Sequence, residues 1–103
     1  VFGYRALWFA RGYEGPLPPF EQDDFVRAGG FDRRTLADLL EELRIVRAAT
    51  LALFRGLPAD ARRRAGIAAG VRVTVRAIPF IIAGHELHHR ALLLERYLGA
   101  IAT

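Results

Sequence analysis

All three histidines of the chain fall within the five residues His85-Glu86-Leu87-His88-His89. On a helix, side chains four positions apart lie one above the other, so His85 and His89 can turn their imidazoles toward a single ion. Imidazole suits zinc, nickel, copper and iron. Ile78, Ile82 and Leu92 share that helical face with the two histidines, which places two polar rings inside an otherwise apolar stripe. Burying two imidazoles without partners would cost about a few kcal/mol. From spacing alone two readings stay open: a metal-binding pair, or polar residues near a helix surface. His88 projects about a third of a turn from His89, toward solvent or a partner helix, where a structural role is expected.

Two ligands do not complete a catalytic site, because catalytic zinc usually takes three protein ligands and keeps one position open. With no further histidine, the available donors are Glu86, Glu95, Asp23 and Asp24, or a residue upstream of Val1. The same five residues also satisfy H-E-x-x-H, in which Glu86 would activate water. The extended protease pattern needs a glycine three residues after the second histidine, and Leu92 stands there. Glu95 occupies that pattern's third-ligand position. However, Ala91 to Leu94 are good helix formers, and an unbroken helix carries Glu95 to a different face from His89. The protease reading is therefore disfavoured.

The elements that must position the histidines are helices. Val1 to Arg11 reads as the end of a helix stopped by Gly12. Glu14 to Gly30, with Gly15, Pro16, Pro18, Pro19 and Gly29-Gly30, reads as a long connection without a helix, of the kind that often borders a site. Asp32 is the expected cap of the next helix, with Phe31 and Leu36 as its hydrophobic staple. Leu36, Leu39, Leu43, Val46, Thr50, Leu53 and Leu57 then recur in alternating steps of three and four, and only Thr50 is polar. That is a coiled-coil-like seam, ended by Gly56 and Pro58. Ala65 to Val73 can form a small hairpin. The last helix is expected from about Val75 to Leu98, with Thr74 as cap, Gly99 as stop, and Pro79 kinking its start or pushing it later.

At 103 residues and 52% apolar, the chain is sized for one domain with a sizeable core. All fifteen basic residues are arginine; they are spread along the chain among eleven carboxylates and leave a net charge of +4. That placement argues against nucleic-acid binding. The absence of cysteine removes disulfides, thiolate zinc sites and cysteine nucleophiles. No stretch approaches the roughly 18 apolar residues of a membrane span. Neither a membrane nor a nucleic acid is therefore expected as partner, and a cytoplasmic location is expected. The chain starts at Val1 inside an uncapped apolar stretch, from which an upstream portion is expected to be missing.

Several segments together resemble the DinB-like family of DNA-damage-inducible four-helix proteins. They are Tyr4-Arg5-Ala6-Leu7, Phe20-Glu21-Gln22-Asp23-Asp24-Phe25, the helix from Leu36 to Leu57, Val75-Arg76-Ala77, Ile81-Ile82-Ala83-Gly84-His85-Glu86-Leu87-His88-His89, and Glu95-Arg96-Tyr97-Leu98. The resemblance implies an all-α fold: the end of the second helix, then the third and fourth helices of a four-helix bundle, with a long crossing connection. On this reading residues 1–103 are a single incomplete domain that lacks the first helix and the start of the second. It also implies a divalent metal, zinc or nickel, on three histidines, of which the last two match His85 and His89 and the first lies upstream of Val1. Relatives of this fold include thiol transferases and an isomerase that use low-molecular-weight thiols, and others described as metal-dependent hydrolases. The implied function is a metal-dependent transferase or hydrolase of small molecules, with a low-molecular-weight thiol as possible cosubstrate. Glu86 is then a candidate base or supporting residue, and Gln22 to Asp24 a candidate border of the site. The alternative is a non-catalytic, metal-stabilised helical binding protein. An uncovered apolar face is expected to promote association, most simply as a homodimer.

Overall fold

The computed structural model describes residues 1–98. The chain is mostly helical, with a three-stranded sheet at one end. The first helix, α1 (Phe2–Ala10), buries Ala6, Phe9 and Ala10 and half-buries Phe2, a spacing that puts all four on one face. Gly12, at a φ of 89°, lets the chain turn away. A short strand, β1 (Pro16–Leu17), follows.

The connection after α1 is not without helix, as the sequence suggested. Helix α2 (Gln22–Gly29) forms inside it. Pro16, Pro18, Pro19 and Gly15 precede this segment, and Gly29-Gly30 closes it. Glu21 accepts a hydrogen bond from the Asp23 N–H at 3.3 Å, and Asp23 and Asp24 sit in the first turn, where the helix dipole favours negative charge. Gly30, at a φ of 63°, ends it.

The long helix α3 (Leu36–Arg55) is capped by Thr35, not by Asp32: Thr35 Oγ1 accepts from the Asp38 N–H at 3.1 Å. Asp32 and Phe31 fall instead in a single 3-10 turn, Phe31–Arg33. Arg34 pairs with Asp38 at 2.6 Å and with Glu42 at 2.5 Å, locking the first two turns behind that cap. The hydrogen bond from Arg34 holds the Asp38 carboxyl below the usual carboxylate range, and the one from Arg44 does the same for Glu41.

A short helix, α4 (Ala59–Arg62), leads into the hairpin of β2 (Ala65–Ala68) and β3 (Val71–Thr74). These strands are antiparallel, pairing Ala65 with Thr74 and Ala68 with Val71, while β1 adds to β2 in parallel. Ala69 and Gly70 both take positive φ, 51° and 77°, as the tight twisted turn of a two-residue hairpin loop requires. The expected hairpin is thus present, and β1 widens it to a three-stranded sheet in a chain that is otherwise mostly helical.

The last helix does not start at Val75. Val75–Ala77 is a 3-10 turn, Thr74 makes no side-chain cap bond, and α5 runs from Ile78 to Leu93. Pro79 explains the later start, since its missing N–H is harmless in a first turn, where no intrahelical acceptor exists. A π-helical turn, Leu94–Leu98, continues the helix; Gly99 lies outside the described residues.

The core gathers where α1, α4, the sheet and the start of α5 meet: Ala6, Phe9, Ala10, Leu17, Ala61, Ala68, Val75 and Ile78. The ends of α3 and α5 nearest it contribute Leu53, Phe54, Leu57 and Ile82. The other end of the α3 seam is uncovered, with Leu36, Leu43 and Val46 at 72%, 52% and 54% exposure. The radius of gyration is 16.1 Å, against about 13 Å for an ordinary domain of this length, because these helices extend beyond the core. Helix α1 packs on α3 and on α5, and the Arg47–Glu86 ion pair links α3 to α5.

Two outcomes follow. A Cβ on Gly66 would lie 2.0 Å from the ring of the fully buried Phe9, so Gly66→Ala should lower the unfolding free energy by about 1–3 kcal/mol. A urea midpoint left unchanged would show that the ring is not seated on β2. Thr35→Ala should cost about 1 kcal/mol, and Asp32→Ala should stay within about 0.5 kcal/mol; the reverse order in thermal melts would restore Asp32 as the cap.

Candidate metal centre

The histidines sit midway along α5, on the stretch that projects past the core, and all three are exposed. His85 and His89 do converge. Their Nε2 atoms are 2.9 Å apart and their ring centroids 4.5 Å. At that separation one Nε2–H donates to the lone pair of the other ring. Phe2, from the start of α1, sets its ring edge-on against His85 at 5.4 Å. His88 meets His89 from the side at 5.6 Å and does not line the groove that holds the other two.

The pair fits a metal as two of its ligands. Metal–imidazole bonds are about 2.0–2.1 Å long, so nitrogens 2.9 Å apart can both reach one ion. Ligation would require both Nε2 lone pairs, which moves the shared proton to Nδ1 of its ring. Among the described residues no group of three His, Cys, Asp or Glu side chains could hold a metal. Of the donors left open by the sequence, Glu86, Glu95, Asp23 and Asp24 therefore do not group with the pair. Asp24 pairs with Arg27, and Gln22 to Asp24 belong to α2 and do not border the histidines.

Glu86 is engaged elsewhere. Its two oxygens accept from Arg47 Nη1 and Nη2 at 3.0 and 3.3 Å, a two-armed pair that joins α5 to α3. This geometry turns the carboxylate toward α3. The helix also runs on unbroken to Leu93, so the chain does not turn where the extended protease pattern needs it.

Between α3 and α5 lies an open groove of about 720 Å³, lined by Phe2, Leu43, Arg47, Ile82, His85, Glu86, Leu87, His89, Arg90 and Leu93. Phe2, Arg47 and Arg90 were not singled out in the sequence. Arg47 had a readable signal: it follows the seam residue Val46, where a basic side chain flanks the apolar stripe and can reach a neighbouring helix. For Arg90 and Phe2 the signal is absent, because their part depends on how the helices are set together.

The Arg47–Glu86 pair is part-exposed on both sides, at 37% and 52%, so its worth is limited by solvent. A double-mutant cycle of Arg47→Ala and Glu86→Ala should give a coupling of about 0.5–1 kcal/mol that shrinks with added salt. Zero coupling at low salt would remove the pair as a link between α3 and α5.

No helix among the described residues is long and apolar enough to cross a membrane. No curated protein and no solved structure matches the chain. The family model described as DinB superfamily matches residues 1–93, nearly the whole chain, including α1, the seam helix and the histidine pair. The chain belongs to the DinB superfamily.

Proposed function

We propose that this chain is a divalent-metal-binding member of its superfamily and acts as a metal-dependent enzyme on small molecules. The observation that carries the reading is the convergence of His85 and His89, with Nε2 atoms 2.9 Å apart on the wall of an open groove. Zinc and nickel suit two neutral imidazoles. Such an ion, when bound, lowers the pKa of a coordinated thiol or water and so supplies a nucleophile near neutral pH.

The chain's own residues do the positioning. Phe2 limits the rotation of the His85 ring through its edge contact. Arg47 keeps the Glu86 carboxylate away from the imidazoles, which leaves the pair free for an ion and for exogenous donors. Among the described residues no third His, Cys, Asp or Glu joins the pair. Leu43, Ile82 and Leu93 give the groove apolar walls against which a substrate can lose water. A thiol nucleophile gives S-transfer and a water nucleophile gives hydrolysis; a low-molecular-weight thiol is the proposed cosubstrate for the first.

The donor count of two among the described residues favours, as a second reading, a non-catalytic protein that binds metal to brace its helices. Equilibrium dialysis with zinc and nickel, read by elemental analysis, tests the shared premise. His85→Ala and His89→Ala should each weaken uptake by roughly tenfold or more, and Glu86→Gln should change it little. Uptake indifferent to both histidine substitutions would end the metal reading. Turnover of thiol acceptors or esters by the loaded protein separates enzyme from binding protein.

A further inference from the structure

The groove holding the histidine pair has mostly apolar walls, yet its charges do not balance. Leu43 on α3 and Leu93 on α5 line it and are each 52% exposed, waiting for cover. Its charged groups are Arg47, Glu86 and Arg90. Glu86 stands four residues before Arg90, the favourable order for a helical ion pair. Both Glu86 oxygens are instead taken by Arg47. On α3, Glu41 is held by Arg44 and Glu42 by Arg34. Among the described residues no carboxylate lies within ion-pair distance of Arg90. A guanidinium keeps its charge and offers parallel N–H donors matched to a carboxylate.

We propose that this groove binds small carboxylates with an apolar body. Arg90 takes the carboxylate, and Leu43, Ile82 and Leu93 take the hydrocarbon, beside the Nε2 atoms of His85 and His89. The volume, about 720 Å³, falls in the range of small-molecule sites, roughly 300–1,000 Å³. A neutral ligand of the same shape gains only the apolar contact, and a cationic one meets repulsion. The inference deepens the proposed function and rests on its choice of this groove as the substrate site, but carboxylate binding itself requires no metal.

The test is calorimetric titration of the protein in chelator with 4-phenylbutyrate and with 4-phenylbutan-1-ol, which match in hydrocarbon and differ in charge. The carboxylate should bind roughly tenfold or more tightly than the alcohol. That preference should vanish in Arg90→Gln and persist in Arg63→Gln, which alters an arginine at the hairpin end. Equal affinity of the wild-type protein for the two ligands would overturn the proposal without any variant. So would a preference that survives Arg90→Gln in a variant whose circular dichroism is native. Metal uptake is measured on the same samples after the chelator is removed. In the wild-type protein, no carboxylate preference with intact uptake sinks this inference alone, and no uptake with intact preference sinks the metal reading alone.

Discussion

The seating of Phe9 against the backbone of Gly66 is the contact on which the rest of the arrangement depends. Phe9 is fully buried, and its ring occupies the space where any larger residue at position 66 would put its Cβ. A flat ring on a bare strand brings α1 closer to the sheet than two side chains would allow. Arg64 strengthens the junction by donating to the Ala10 carbonyl at the end of α1, and the Val75 N–H closes the hairpin base on the Arg64 carbonyl at 2.8 Å. With its C-terminal end held in this way, α1 has little freedom in direction, and its first residue, Phe2, comes to lie on His85.

From that fixed junction α3 and α5 extend past the core. Core contacts tie them down near Leu53, Phe54 and Leu57 on one side and Ile78 and Ile82 on the other. Farther out, the two-armed pair of Arg47 and Glu86 bridges them. This explains why the groove is open and why its side chains are exposed although the seam is apolar at every position but Thr50. It also explains why Glu86, beside the histidines in sequence, is remote from their chemistry: its carboxylate serves the link between helices.

Membership of the DinB superfamily agrees with the helical character of the chain. The three-stranded sheet stands at one end of these helices. It is small, but it carries half of the junction that aims α1, so it bears on the site without contributing a residue to it.

What could be read in the linear chain was local. The i, i+4 spacing of His85 and His89, the alternating three-and-four seam from Leu36 to Leu57, the stop at Gly12 and the hairpin of Ala65 to Val73 all follow from helix and turn geometry over a few residues. Where local signals competed, the reading failed. Prolines around Gln22–Gly29 hid α2, and Asp32 was preferred to Thr35 although Thr35-Leu36-Ala37-Asp38 carries the capping pattern. Tertiary structure decided the partner of each long side chain. Whether Glu86 turns to the histidines, to Arg90 or to Arg47 depends on where α3 lies. That is set by the burial of Phe9, far from Glu86 in sequence, and no periodicity records it.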